Sequence, residues 1–305
     1  MQRYLAKRLI HSIIIILGIS LIVFIITHLT GDPANLLLHP EASQTERELF
    51  RRELGLDRPL YIQYFEFLKN AIQGDFGKSF RHQTPAFSLI MGALPATLEL
   101  TIAAMLLSIF IGVPVGILSS IKPRSYYDRF GMTFALLGQS MPVFWAGLML
   151  ILLFAVKLGM LPSHGRGGIE HLVLPACTLG LFSTAAIARF TRSSMLDVLD
   201  SEYIKTARIK GLSEYKVVLK HALKNASIPV VTMTSLQFGR MLSGAVITET
   251  IFSWPGVGRM AVLGIYSRDY PVVQAAVFIS SVLFVTINLM VDILYAYLDP
   301  RIKYQ

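Results

Sequence analysis

Few residues in this chain could do chemistry, and their spacing excludes most of what they could support. Gly77-Lys78-Ser79 has the ending of a phosphate-cradling loop, but that loop needs a glycine five residues before Gly77, and position 72 is isoleucine. The seven histidines (His11, His28, His39, His82, His164, His171 and His221) form no His-x-x-x-His pair and no cluster with carboxylates at ligand spacing. A lone Cys177 rules out an internal disulfide and a cysteine-based metal site within the chain. Gly-x-Ser-x-Gly is absent. What remains is electrostatic. Arg240 stands in an apolar run, where a charge at the centre of a bilayer costs about 3 kcal/mol or more unless it meets protein or water. It either pairs with a carboxylate on another helix or subunit, or lies on a translocation path and attracts a substrate carboxylate. Glu249 is open to the same two roles, and Asp292 reads as hydrated near an interface.

The elements that position these charges are membrane spans. The chain has 305 residues, 53% hydrophobic and only 15% charged, where soluble domains carry about 25% charged residues. Mean hydropathy is +0.57. The net charge of +9 sits in clusters between apolar stretches, whereas a nucleic-acid binder carries it as a stripe on a folded surface. Roughly 20 apolar residues cross the hydrocarbon core. Six stretches qualify: about Leu9 to Leu29, Thr97 to Ile121, Phe130 to Leu158 (interrupted at Met141-Pro142), Leu172 to Phe190, Ile228 to Phe252, and Val272 to Leu298. The first follows Arg3, Lys7 and Arg8 but is too long for a signal-peptide core and lacks a small-x-small cleavage site, so it reads as a retained helix.

Short basic loops face the cytoplasm. The N-terminus, the loop with Lys122, Arg124 and Arg129, the loop between the fourth and fifth spans, and the tail with Arg301 and Lys303 all fall on one side. Both termini are therefore expected inside. Residues 30–95 fall outside; they carry seven Lys/Arg and eight Asp/Glu, with helical apolar spacing from Tyr61 onward. Trp254 and Tyr270 fit an external aromatic belt. The division expected is a first helix at 1–29, an external helical segment at 30–95, and a five-helix core at 96–305 with an internal loop at about 193–226.

That loop is the longest cationic interruption of the second half, from Glu202 to Gly211 and on through an amphipathic run to Asn225. Ser194 with Asp197 fits a capping box for a helix continuing to Lys210. Gly211 supplies a helix-ending position, and Ser213 can cap a second helix from Glu214 to Lys224. Lys216, Lys220 and Lys224 make one cationic face, which membrane headgroups attract. Membrane attraction does not call for a tight turn between two helices; a protruding knob does.

Thr206-Ala207-Arg208-Ile209-Lys210-Gly211, with His221-Ala222-Leu223-Lys224 ten residues on, resembles the EAA loop of ABC-importer permeases. Ala207 and Gly211 match its Ala and Gly, Lys205 stands where the pattern has an acid, and Lys224 where it has a proline. Those departures resemble the dipeptide, oligopeptide and nickel branch. So do Gly31-Asp32-Pro33, Leu54-Gly55-Leu56-Asp57, Gly74-Asp75-Phe76-Gly77 with Ser79, Leu94-Pro95-Ala96-Thr97-Leu98, Ser140-Met141-Pro142, Phe252-Ser253-Trp254-Pro255-Gly256 and Asp269-Tyr270-Pro271, in order along the chain.

The resemblance implies an all-α, six-span permease of the bacterial inner membrane with no catalytic residue and no cofactor of its own. It implies a second homologous permease, two cytoplasmic ATPases that bind the ATP, and an extracytoplasmic binding protein as partners, besides membrane lipid. It also implies that Lys205, Thr206, Ala207, Arg208, Gly211 and His221 belong to the loop that an ATPase grips. Peptides are the cargo expected, with glutathione or a nickel chelate as the alternative. A passive channel or an intramembrane enzyme is disfavoured, the latter because no paired catalytic groups stand within the spans.

Overall fold

The computed structural model describes residues 2–29, 43–53, 55 and 57–298. Gly31-Asp32-Pro33, Leu54, Leu56, His39, Arg301 and Lys303 lie outside the described residues. Among the described residues there is no strand, only an isolated bridge between Lys78 and Pro85. In hydrocarbon every backbone N–H and C=O needs an internal partner, and a helix supplies one within a single segment.

In chain order the helices are α1 (Gln2–Leu29), α2 (Gln44–Glu53), α3 (Leu60–Ile72), α4 (Ala86–Ile121), α5 (Tyr126–Ser140), α6 (Val143–Leu150) prolonged by π-helical Ile151–Lys157, and α7 (Ile169–Leu199). Then come α8 (Glu202–Ile209), α9 (Glu214–Lys216), a π-helical turn Val217–Ala222, α10 (Leu223–Ile251), α11 (Val257–Tyr266) and α12 (Tyr270–Leu298). Four of them contain stretches long and apolar enough to cross a bilayer: Arg8–Thr27, Ala86–Ile121, Ile169–Leu199 and Tyr270–Ile293. The pair α5 and α6 is long and apolar enough only when the two are taken together, and it is bent by 107° at the break between them.

Four boundaries differ from the sequence expectation. The long third stretch is two helices, because Met141 before Pro142 takes an extended conformation (φ −82, ψ 132), the one a following proline ring favours. The second begins at Ala86 and runs through Pro95, and the fourth runs on to Leu199. Ser194 is therefore buried within α7 and starts no helix. The second helix of the basic loop and the fifth stretch are continuous, since Ala222 and Leu223 keep helical angles across the junction.

The chain divides into two compact units. One comprises the described parts of Met1–Ala96 with Pro255–Leu289. In it α3 lays Tyr64 and Phe67 on Phe24 of α1, with ring centroids 5.4 and 5.9 Å apart. The Tyr64 hydroxyl also meets Ser20 Oγ at 2.9 Å. Ala86, Ile90, Val257, Val272, Ala275 and Ala276 form its buried core with Phe76.

The second unit comprises the described parts of Thr97–Trp254 with Met290–Gln305. Its centre is α7, which packs on α5, α6 and α10. α4 crosses α7 at backbone distance. A Cβ on Gly116 would stand 2.6 Å from the Ala188 carbonyl oxygen, and one on Gly180 would stand 3.0 Å from that of Ala104. Gly112 and Gly116 form the small-xxx-small spacing that lets helices approach this closely in a membrane. Ser108 Oγ uses the approach to donate to the Gly180 carbonyl at 3.0 Å.

Candidate functional site

The basic loop folds as a knob packed on the end of α7. After α7 ends, Ser201 takes an extended conformation (φ −69, ψ 150) and α8 begins. Ile204 and Ala207 lie three apart, on one helical face, and both are buried. They close on Val217, Val218, Ala222 and Ala226, with Met195 of α7 completing the cluster. Gly211 has φ +76, and no atom lies within 4 Å of where its Cβ would be. The glycine is there for its left-handed conformation, not for space. Its N–H donates to the Arg208 carbonyl at 2.9 Å, and Ser213 leads into α9.

Charges brace the turn. Arg208 Nη2 and Nε donate to the two Glu214 carboxylate oxygens at 2.7 and 3.2 Å. The Arg208 guanidinium holds the Glu214 carboxyl below its usual range. Both side chains are about half exposed, so the pair contributes at most about 1 kcal/mol. Lys205 Nζ donates to Glu202 at 2.9 Å, which raises the lysine's pKa, and Thr206 Oγ1 donates to the Glu202 carbonyl at 2.9 Å. The His221 carbonyl faces the Tyr203 hydroxyl at 3.5 Å, and Asn225 Nδ2 donates to the same hydroxyl at 2.7 Å.

The six loop residues singled out by sequence thus lie on one knob but do different things. Ala207 points inward, where its small side chain lets α8 sit close on the π-helical turn. The most exposed apolar surface of the knob belongs to Ile209 and Tyr215, 86% and 74% exposed, ahead of Tyr203, Leu212 and Leu219, and sequence reasoning passed both over. Their signal was available: both are large apolar or aromatic residues flanking Gly211, off the face that Ile204 and Ala207 bury. Lys216, Lys220 and Lys224 are all exposed.

Behind the knob stands an ion pair that sequence reasoning also missed. Arg192 Nε and Nη2 donate to Asp128 Oδ1 and Oδ2 at 2.6 and 2.8 Å, and the Arg124 backbone N–H donates to Oδ2 at 2.8 Å. Asp128 is almost fully buried. The clue was an acid in an otherwise basic short loop.

Arg240 and Glu249 share α10 but not an environment. The Arg240 side chain is exposed; Nη1 approaches Gln237 Oε1 at 3.5 Å, and no ion pair joins it to a carboxylate among the described residues. Gln237 itself is fully buried. Glu249 has no exposed surface and accepts from Thr97 Oγ1 at 2.7 Å. Its carbonyl accepts from the Trp254 N–H at 2.8 Å.

The aromatic belt is a correction. Trp254 is completely buried beneath the Arg166 guanidinium, 6.0 Å from its ring centroid, and Arg166 is held by Glu99. Tyr270 is buried edge-on against Phe80, with centroids 6.2 Å apart. Both rings pack within the protein, so neither is free to face lipid headgroups. The Asp269-Tyr270-Pro271 motif has a partner in the other quoted motif: the buried Asp269 carboxylate accepts from Ser79 Oγ and from the backbone N–H groups of Phe80 and Arg81 at 3.1 and 3.3 Å. Among the described residues no group of histidine, cysteine and acidic side chains could hold a metal ion.

Comparison with known proteins accounts for this arrangement. Residues 112–304 match the family described as binding-protein-dependent transport system inner membrane component, and residues 1–101 match the N-terminal model of the same membrane components. The glutathione transport system permease protein GsiC of Escherichia coli (strain K12) is 46% identical over 306 residues, covering 100% of both chains. Its counterpart in Shigella dysenteriae serotype 1 is equally similar, at 46% over 306 residues. Among solved structures, an inward-facing form of the MetNI methionine ABC transporter superposes with a TM-score of 0.56 at 17% identity, covering 69% of this chain and 96% of that one. A histidine-bound amino acid ABC transporter gives 0.55 at 18% identity over 69% of this chain and 94% of its own. This chain belongs to the binding-protein-dependent transport system inner membrane components: it is a multi-pass permease subunit of an ABC importer in the inner membrane.

Proposed function

We propose that this permease carries glutathione and other short peptides delivered by an external binding protein, and that the knob around Gly211 receives the stroke of a cytoplasmic ATPase. One observation carries the coupling role: α9, the π-helical turn and α10 follow one another with no non-helical break, through Pro229, so a displacement of the knob is passed along the helix that bears Arg240 and Glu249. The knob's core is shared with Met195 of α7, which ties the knob to a membrane helix, and Ile209 and Tyr215 offer the apolar anchor that partner grooves take up. The cargo rests on the similarity to a glutathione permease along the whole chain. Arg240, exposed on α10, supplies a cation for a passing carboxylate, whereas Glu249 acts from inside the chain, positioning α10 through Thr97.

The rest of the assembly follows the same reading. α10 makes the sixth crossing. Its 29 residues reach about 43 Å at 1.5 Å each, and its polar residues find protein or water in the complex. Both termini lie inside, residues 30–95 outside, and a second permease and two ATPases complete the importer. The test is reconstitution with the ATPases and binding protein in vesicles. Gly211→Asp and Ile209→Glu should insert and allow ATP hydrolysis, while uptake per ATP falls roughly tenfold or more, as expected when an interface anchor is lost. Normal uptake by both variants would sink the coupling role. Failure of the binding protein to take up glutathione or dipeptides would sink the cargo alone.

A further inference from the structure

The end of α4 and the start of α5 enclose a groove of about 470 Å³ lined by Val115, Leu118, Ser119, Tyr126, Tyr127, Phe130 and Gly131. Its floor exists because Gly131 has no side chain: a Cβ there would stand 3.1 Å from Val115 Cγ1 and 3.2 Å from Ser119 Oγ. Its walls are left bare by the chain, with Tyr126, Tyr127 and Phe130 exposed by 88, 76 and 71%. Phe130 continues along α5 into Phe134, their rings 5.5 Å apart.

Three cations, Lys122, Arg124 and Arg129, are exposed and adjoin in sequence the residues that line it. None of the three is in an ion pair among the described residues, because the acid closest to them in sequence, Asp128, is already held by Arg192 at 2.6 and 2.8 Å. An apolar slot whose flanking residues are unpaired cations has the chemistry of one class of molecule, with an apolar chain and an anionic head.

We infer that this groove binds an anionic phospholipid, one acyl chain lying along Tyr127 and Phe130 and its phosphate held by Lys122, Arg124 and Arg129. A neutral apolar partner helix would fill the slot and leave the three cations unanswered; a phosphate answers both. Basic pockets beside spans on the cytoplasmic side suit such headgroups, each cation near the surface strengthening the attraction about fivefold. Charge selects the lipid at the mouth, and the glycine floor fixes where its chain lies.

The experiment places a reporter in the groove. Full-length chain carrying Tyr127→Trp is purified in detergent, and the fluorescence it adds over the parent is titrated with micelles holding dibrominated phosphatidylglycerol or dibrominated phosphatidylethanolamine. Phosphatidylglycerol should quench at a several-fold lower mole fraction. Lys122→Gln with Arg124→Gln and Arg129→Gln should abolish that preference while leaving quenching by phosphatidylethanolamine unchanged, which also shows that the variant is folded. Equal quenching by both lipids in the parent reporter would overturn the site, leaving ordinary boundary lipid. Quenching by neither would also overturn it and show the groove covered by protein.

Discussion

Asp128 and Arg192 form a pair whose two members are unequally buried, the side chains 6% and 28% exposed. Removing one partner from a buried pair costs more than the pair itself contributes, because the survivor keeps a charge it cannot hydrate. The survivor therefore decides the cost. Arg192→Leu strands the deeper Asp128 and is expected to destabilise by about 3 kcal/mol, whereas Asp128→Asn leaves an arginine that reaches solvent and should cost less. Thermal unfolding of the two variants in detergent measures the order, and equal losses would show the pair to be a surface feature. At this scale the sequence was informative about identity and poor about direction. Arg240 and Glu249 were recognisable as charges in an apolar run, but only the fold shows the first exposed and the second enclosed with Thr97.

Among the elements, α4 and α7 cross with their backbones close together. Gly116 faces the Ala188 carbonyl oxygen, Thr191 Cβ and the Arg192 amide, two of which are backbone and cannot step aside. Gly116→Leu should part the helices and lower stability by about 3 kcal/mol or more, at the upper end of overpacking costs. Gly92→Leu in the same helix, where no atom lies within 4 Å of a Cβ, serves as the control and should be nearly neutral. The readout is yield and monodispersity in detergent alongside melting temperature. Gly112 and Gly116 announce such a joint by spacing, yet spacing names no partner. The helix–glycine–helix form of the knob was legible from Gly211, because left-handed backbone is a local requirement; Ser213 stands at the N-cap of α9, but its side chain makes no capping hydrogen bond there. The continuity of α9 with α10 was not legible, since a π-helical turn leaves no compositional mark.

On the scale of the whole molecule, the orientation in the membrane is the property most open to measurement. With Cys177→Ser as background, single cysteines at Arg268 and Lys210 should label oppositely with a membrane-impermeant maleimide on intact cells. Arg268→Cys is expected to react directly, and Lys210→Cys only after permeabilisation; the reverse pattern would overturn the inside placement of both termini. Both positions are exposed, so access through the bilayer alone decides the result.

Length, charge deficit and the rhythm of apolar runs determined by themselves that this is a helical membrane protein, since hydrocarbon admits few other solutions for backbone hydrogen bonds. The ordered motifs from Gly74 to Pro271 determined the family. The sequence left open what each motif is for. Tertiary structure decided that Ser79 and Asp269, 190 residues apart, share one buried hydrogen bond. It also turned Trp254 and Tyr270 inward, turned Ala207 into the knob's core, and left Ile209 and Tyr215 facing out. The physical reason is common to all of them. Composition sets how much surface must be buried, a sum over residues, whereas which side of a helix is buried depends on neighbours that the chain brings back from far away.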